Sequence, residues 1–386
     1  MEYRYNPQLL SLAPSASIAL MDKARTMKAQ GMDIISLAGG EPDFDTPAAA
    51  ALAGIHAITG GQTHYTTGRG MPKLRERIAR KLREENGLEA TADTVLVTPG
   101  AKAAIYCVVR TFVGPGDQVL LLDPAWLSYE AIVVAAGGTA IHAGLAFENG
   151  YRITEEILEA AVTDRCRMVI VNTPNNPTGR VLTREEAQIL ETFARKHDLM
   201  ILSDEIYEKI LFDGQHLSLG SLPGLRDRVI TVNGFSKCAA MTGWRLGYLS
   251  APKEVVDRIY LLYQHIFTCV PEFVQEAGLV ALDDPASVEA MTESYRIRRD
   301  SFLEKLQTLP GFRCIVPEGA FYAWAQVDRD AEEMADFLLQ KAGVVTVPGG
   351  AYGENSRNCI RMCFAADPKD LDEAVIRMAK ALKGVS

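Results

Sequence analysis

Five short runs rich in Val, Ile and Leu, separated by stretches of helical length, constrain the fold of this chain more than any other feature. The runs are TVLVTPG (94–100), QVLLLDP (118–124), RMVIVNTP (167–174), LMILSDE (199–205) and VITVNG (229–234). Strands that alternate with helices form mostly parallel sheets, and helices cover both faces of such sheets. The sequence therefore predicts an α/β fold with a mostly parallel central sheet.

Two of the intervening stretches carry clear helix signals. The segment MPKLRERIARKLREENG (71–87) has apolar residues at spacings of three and four, Pro72 at its start and Gly87 at its end. The segment TREEAQILETFARKHDL (183–199) has the same periodicity and begins at Thr183. Proline in the first turn, a threonine cap and a terminal glycine are typical helix boundaries. Both segments are predicted to be helices.

The pattern changes after about residue 290, which indicates a second, smaller domain. A long charged helix is predicted over SVEAMTESYRIRRDSFLEKLQTL, followed by the short strands FRCIV, FYAWAQV, GVVTV and NCIRMCF. A chain of 386 residues is also longer than one hydrophobic core usually supports. We expect a large domain over 45–290 and a small α+β domain formed by 1–44 and 291–386.

Composition excludes several classes of function. The 40 basic and 49 acidic residues give a net charge of −9, which offers no basic field for nucleic acid. No apolar run is long enough to cross a membrane. The seven cysteines form no C-x-x-C pair and the histidines form no metal-binding spacing, so we expect reduced thiols, no metal and a cytoplasmic location.

Polar residues cluster where the predicted strands end. Ligands of open α/β sheets bind outside the carboxyl ends of the strands, and parallel strands bring these ends to one edge. The residues at or just after the ends of four of the runs are therefore expected to form one site: Gly100, Ala101 and Lys102; Asn176; Asp204 and Tyr207; Ser236 and Lys237.

Lys237, in GFSKCAAMTGWRLG, is the candidate for covalent chemistry. Small neighbours such as Gly234 and Ala239 leave room for a cofactor, and Arg245 follows eight residues later. A lysine that bonds an aldehyde next to a phosphate needs such surroundings. The alternative for any single lysine is a solvent-exposed position in a loop.

These motifs resemble one family. The segments SLAGGEPDFDTP, THYTTGRGMPKLRE, VTPGAKAA, PGDQVLLLDPAWLSY, VNTPNNPTGRV, LSDEIYEKILFDG, GFSKCAAMTGWRLGY and NCIRMCFA occur in its order and at its spacings. The chain resembles the fold-type I pyridoxal 5′-phosphate (PLP) aminotransferases over nearly its whole length, particularly the bacterial aspartate aminotransferase-like group. The resemblance implies a large PLP-binding domain with a smaller α+β domain.

The resemblance also implies roles at the cofactor ring. Lys237 holds PLP covalently and moves the substrate Cα proton, and Asp204 pairs with the ring nitrogen. Asn176 and Tyr207 hydrogen-bond the phenolic oxygen, and Trp126 stacks on the ring. Each of these residues also has an alternative that does not depend on the resemblance. The alternative is a helix cap for Asp204, a turn position for Asn176, and a position in the hydrophobic core for Tyr207 and Trp126.

A second set of residues is implied for the phosphate. Backbone N–H groups at a helix start bind anions, and a hydroxyl and a guanidinium add to them. A tyrosine from the neighbouring subunit completes the set, which makes the protein a homodimer with shared active sites. The implied residues are Gly100, Ala101, Lys102, Ser236, Arg245 and Tyr65.

Arg361 is implied to bind the substrate α-carboxylate, helped by Gly40, Trp126 and Asn176. An arginine in an apolar strand needs a counter-charge, and the alternative for Arg361 is a structural ion pair. For Gly40 the alternative is a simple turn.

The expected activity is ping-pong transfer of an amino group from an L-amino acid to a 2-oxo acid such as 2-oxoglutarate. To bind aspartate, the site would need a second cation such as Arg110 for the side-chain carboxylate. A pocket for an aromatic or apolar side chain would instead be shaped by Ala125, Phe267, Cys269 and Phe273. A PLP-dependent C–S β-lyase would use the same cofactor residues, and a ligand sensor of this fold usually carries a DNA-binding segment, of which the sequence shows no sign.

Overall fold

A computed structural model describes residues 3–383, and its main element is a seven-stranded sheet. The strands of all the sheets in the described residues, in chain order, are β1 (Ile35–Ser36), β2 (Val95–Thr98), β3 (Gln118–Asp123), β4 (Thr139–Gly144), β5 (Cys166–Asn172), β6 (Met200–Asp204), β7 (Val229–Gly234), β8 (Gly247–Ser250), β9 (Arg313–Cys314), β10 (Tyr322–Gln326), β11 (Val344–Val345), β12 (Val347–Pro348) and β13 (Cys359–Cys363).

The large sheet has the strand order β2-β8-β7-β6-β5-β3-β4. Only β8 runs against its neighbours, being antiparallel to β2 and β7. The mostly parallel α/β fold and the five predicted strands β2, β3, β5, β6 and β7 are thus confirmed. The sequence prediction omits β4, an edge strand with several exposed residues, and the short β8. β4 lacks the buried pattern of the other five, and β8 is a four-residue strand that begins with Gly247.

Both faces of the sheet are buried. In β3, Val119 and Leu121 belong to one core cluster, whereas Leu120 and Leu122 belong to another. Alternate residues of a strand point to opposite faces, so the two clusters lie on opposite sides of the sheet. This burial explains why the strand reads as an unbroken apolar run.

The helices occupy the stretches between the strands. Thr183 caps one predicted helix with a hydrogen bond from the Glu186 amide, and Gly87 ends the other with a φ of 69°. The two predicted helices are therefore confirmed as α4 (Pro72–Asn86) and α8 (Arg184–Lys196). The helices are α1 (Pro7–Leu10), α2 (Ala16–Ala29), α3 (Ala48–Thr59), α4 (Pro72–Asn86), α5 (Ala101–Phe112), α6 (Ser128–Ala135), α7 (Glu155–Ala161), α8 (Arg184–Lys196), α9 (Phe235–Cys238), α10 (Lys253–Ile266), α11 (Glu272–Leu282), α12 (Pro285–Leu306), α13 (Ala331–Phe337) and α14 (Pro368–Lys383).

A second, four-stranded antiparallel sheet follows α12, in the order β12-β13-β10-β9. The predicted strand GVVTV is divided: β11 pairs with β1 near the start of the chain, and β12 pairs with β13. The pairing of β1 with β11 supports the proposed small domain of 1–44 and 291–386, which stays a prediction. Within residues 3–383, each helix is too short or too polar to span a bilayer.

Candidate active site

The carboxyl ends of β5, β6 and β7 and the start of α5 border one cavity of about 420 Å³. Gly100 lies at its edge as the residue before α5, and Tyr65 lies outside it. The cavity brings together most of the residues predicted from the sequence, namely Gly40, Ala101, Lys102, Trp126, Asn176, Asp204, Tyr207, Ser236, Lys237, Arg245 and Arg361.

Lys237 lies on the four-residue helix α9 that directly follows β7. Its ammonium donates a hydrogen bond to the carbonyl oxygen of Gly40 and lies 5.8 Å from the ring centre of Tyr207. Burial, together with the smaller effect of the Arg361 and Arg245 guanidinium groups, lowers the pKa of Lys237 to about 8, although Cys363 and Glu41 oppose the shift. The neutral amine, which is the nucleophilic form, is therefore accessible near neutral pH.

Asp204 ends β6 and is almost fully buried. Its carboxylate accepts hydrogen bonds from the Tyr129 hydroxyl (2.7 Å) and from the Ile206 amide (3.3 Å). No regular helix begins after Asp204, so the helix-cap alternative does not apply. Burial raises its pKa to about 6, although the Tyr129 hydrogen bond and the charge of Lys237 oppose the increase. A cation bound next to this carboxylate would restore its ionised form.

Gly100 and Arg245 form a cradle at the start of α5. Gly100 has a φ of 86°, and a Cβ atom built on it would lie 2.6 Å from Nη2 of Arg245. Only glycine therefore lets the guanidinium lie across the helix start, where free N–H groups and the helix dipole attract an anion. Arg245 itself has a φ of 56° and donates to the carbonyl oxygen of Thr242 at 2.8 Å.

Arg361 lies on β13 and is 3% exposed. Its guanidinium donates to Asn176 Oδ1 (3.1 Å) and to the carbonyl oxygens of Ala38 (2.8 Å) and Gly39 (2.9 Å). Among residues 3–383 no carboxylate lies within 4.0 Å of it, and its Nε has no hydrogen-bond partner. The structural ion pair is thus not formed, and the buried cation retains donors for an anion.

Aromatic side chains form the rest of the wall. The Tyr207 hydroxyl lies 2.7 Å from the hydroxyl of Tyr322, and the Arg361 guanidinium lies 4.5 Å from the centre of the Tyr322 ring. The ammonium of Lys102 lies 4.8 Å from the Trp126 ring, which gives a cation–π contact. Burial and the neighbouring Arg245 lower the pKa of Lys102.

Several contributors to the site were not predicted. Tyr129, Tyr322 and Asn172 line the cavity, and Asn172 donates to the Asp204 carbonyl and accepts from the Asn176 amide. The helix α2 adds Ser17, Ile18, Met21 and Arg25. Tyr129 lies 75 residues from Asp204 in the chain, and no local pattern links them. The polar NTP sequence at the end of β5 was the one signal that could have identified Asn172.

The residues suggested to select the substrate side chain lie elsewhere. Arg110, in the last turn of α5, is exposed and does not line the cavity. Eight residues of helix separate it from Lys102, a rise of about 12 Å. Ala125, Phe267, Cys269 and Phe273 are likewise not part of this chain's cavity wall.

A buried charge network lies next to the site. Glu205, Glu208 and His216 place their ligand atoms within 4.8 Å of one another, the one such group among residues 3–383. The ammonium of Lys81 contacts Glu208 there and balances its charge. Burial opposes ionisation of Glu208, but Lys81 and His216 lower its pKa to about 2. The carboxylates of this network thus already have protein partners, Lys81 for Glu208 and His216 for Glu205.

Comparison with known proteins gives consistent matches. The family model for aminotransferase class I and II matches residues 32–378. An aspartate aminotransferase of Musicola paradisiaca is 41% identical over 95% of this chain and 94% of its own length. Aromatic-amino-acid aminotransferase 2 of Thermococcus litoralis is 40% identical over 92% of this chain and 93% of its own. A structure of Thermus thermophilus aspartate aminotransferase with maleate has a TM-score of 0.94 at 37% identity, covering 99% of this chain and all of the other.

Proposed function

This chain belongs to the aminotransferase class I and II family and transfers amino groups, and on that premise we propose that it does so with PLP held at Lys237. The family is PLP-dependent, and the matched relatives named above are transferases, so nothing in these matches favours the β-lyase alternative. The observation that carries the proposal is the meeting of a half-buried lysine, a buried carboxylate and an anion cradle in one cavity.

The residues fit the cofactor on structural grounds. The cradle of Gly100 and Arg245, with the backbone N–H groups of Ala101 and Lys102 and the Ser236 hydroxyl, suits a phosphate dianion. Asp204, whose pKa is raised by burial, suits a protonated ring nitrogen.

Other residues suit the remaining edges of the ring. Asn176 uses its amide oxygen to accept from Arg361, which leaves its NH2 group to donate to the phenolic oxygen together with the Tyr207 hydroxyl. The ring of Trp126 is the candidate for stacking on the cofactor. When bound, PLP supplies a charged ring that draws electrons from the substrate Cα–H bond.

Substrate binding follows from Arg361 and Lys237. Arg361 holds the α-carboxylate in a fork of N–H donors, and Gly40 adds a backbone contact next to it. The Lys237 amine, once released from the cofactor, accepts the proton from Cα of the amino acid in the first half-reaction. In the second half-reaction, which runs in reverse, it returns a proton to Cα of the second substrate. Burial favours this role because it keeps a fraction of the amine neutral. The transfer is ping-pong, with a 2-oxo acid such as 2-oxoglutarate as the second substrate.

The direct test is the Lys237→Ala variant. We expect it to lose transamination and the absorbance of the protein-bound cofactor, because no other amine lies at that position. Borohydride treatment of the loaded wild type should attach the cofactor to Lys237, as read by peptide mass spectrometry. Full transaminase activity in the variant would end the proposal.

We also propose that the active enzyme is a homodimer in which Tyr65 reaches the partner's phosphate site. Tyr65 is 85% exposed, and α3 presents Leu52, Ile55 and Ile58 to solvent. An exposed apolar stripe next to a solvent-facing tyrosine supports an interface at this face.

The seven cysteines are unpaired, which supports a cytoplasmic location.

A mixed dimer tests the shared site. Chains carrying Lys237→Ala and chains carrying Tyr65→Ala should regain activity when co-assembled, since one site then has both residues. A monomer in solution, or a hybrid no more active than its parents, would contradict the shared arrangement.

A further inference from the structure

The α2 wall of the cavity carries a cation to which the reaction described above gives no role. Ser17, Ile18, Met21 and Arg25 line the cavity from α2. Ile18, Met21 and Arg25 follow one another at spacings of three and four residues, which places them on one face of the helix. Arg25 is therefore the charged member of an otherwise small or apolar wall.

Each of the other cations that line the cavity already has a proposed role. Arg361 binds the α-carboxylate, Arg245 the phosphate, and Lys237 the cofactor itself. Lys102 lies over Trp126 in the first turn of α5, directly after Gly100 and Ala101, so it belongs to the phosphate end. Arg25 is the remaining cation of the described lining.

Arg25 lies on α2, which packs against β1 and β12, and Val347 of β12 pairs with Arg361. Arg361 donates to the carbonyl oxygens of Ala38 and Gly39, in the segment that follows α2 and β1. The α2 wall therefore borders the end where the α-carboxylate binds. We expect a substrate held there to place its side chain in the part of the cavity that α2 lines.

The guanidinium of Arg25 is available to a ligand. Within residues 3–383 its side-chain partner is Asp22, at 3.5 Å, and the two side chains are 70% and 63% exposed. Exposed pairs of this length contribute little, so a substrate carboxylate can displace Asp22. Planar guanidinium groups bind carboxylates through two parallel hydrogen bonds.

We propose that Arg25 binds the distal carboxylate of acidic amino acids at the α2 wall and so selects aspartate and glutamate over neutral side chains. The inference rests on the proposed transaminase function and names its substrate class. It replaces Arg110, which lies outside the cavity, as the source of the second positive charge.

The test compares half-reactions of the PLP-loaded enzyme. Aspartate, glutamate and phenylalanine are each supplied without an acceptor, and the cofactor spectrum gives kcat/KM. In Arg25→Gln the aspartate-to-phenylalanine ratio should fall roughly 10- to 100-fold, the loss of a charge-assisted hydrogen bond. Asp22→Asn should raise the ratio about two- to fivefold by freeing Arg25. Arg110→Gln is the matched control, and it should leave the ratio unchanged.

Maleate binding measured by calorimetry gives a second readout that does not need turnover. Arg25→Gln should weaken the binding of this dicarboxylate about tenfold or more, whereas Arg110→Gln should not. A selectivity ratio and a maleate affinity both within about twofold of wild type in Arg25→Gln would overturn the inference. If the wild type reacts with no amino acid, the proposed function fails, and the maleate comparison still decides the role of Arg25.

Discussion

Replacing Asp204 by Asn should stabilise the apo protein while it removes the activity. Burial raises the pKa of Asp204 from 3.8 to about 6, so the folded state disfavours the charged form. The resulting loss of folding stability is absent at a pH below the pKa of Asp204 in the unfolded chain, and it is complete at a pH above the pKa of Asp204 in the folded protein. Two pKa units correspond to about 3 kcal/mol of unfolding free energy at about pH 7.5, and roughly half of that at about pH 5. Asparagine carries no charge and still accepts the hydrogen bond from Tyr129.

Urea unfolding of the apo proteins at a fixed concentration measures this difference. Asp204→Asn should unfold at higher urea than wild type at about pH 7.5, and the two should approach each other as the pH falls toward about 4. Asp164→Asn, at an exposed aspartate, controls for the loss of one charge from a net −9. An apo variant no more stable than wild type at the higher pH, or a gain that does not change with pH, would refute this reasoning.

Three further changes test other parts of the site. Gly100→Ala should weaken PLP binding about tenfold in a cofactor titration, because its Cβ would lie 2.6 Å from Arg245 and a positive φ costs roughly 1–3 kcal/mol in alanine; wild-type affinity would argue against the cradle. Tyr129→Phe removes a buried hydrogen bond worth roughly 1.5–3 kcal/mol and raises the pKa of Asp204 further. Its kcat/KM should therefore fall at least tenfold, and unchanged kinetics would exclude a role for this contact. Cofactor uptake by the apo enzyme should accelerate with pH through about 8, as Lys237 becomes neutral; a rate independent of pH between about 6 and 9 would contradict the depressed pKa.

The sequence located much of the site because strand and helix ends are local features. Asn176, Asp204 and Lys237 each follow an apolar run, and strands of one direction bring such ends to one edge. The prediction needed no knowledge of contacts between distant residues. It was incomplete where a strand lacked the buried pattern, as in the exposed edge strand β4.

Residues that act through distant contacts could not be found in this way. The Tyr207–Tyr322 hydroxyl contact spans 115 positions, and the Arg361–Ala38 contact spans 323. Arg110 was the natural choice for a second cation because it shares a helix with Lys102, yet the length of that helix carries it out of the cavity.

By itself the sequence determined the α/β fold and the boundaries of two helices, and it singled out Lys237 as the candidate reactive lysine, since periodicity, caps and motifs depend on neighbouring residues. Only the tertiary structure decided which tyrosine supports Asp204 and that α2 brings Arg25 to the cavity. Those outcomes depend on how helices pack against the sheet. Packing brings together side chains that no local pattern connects.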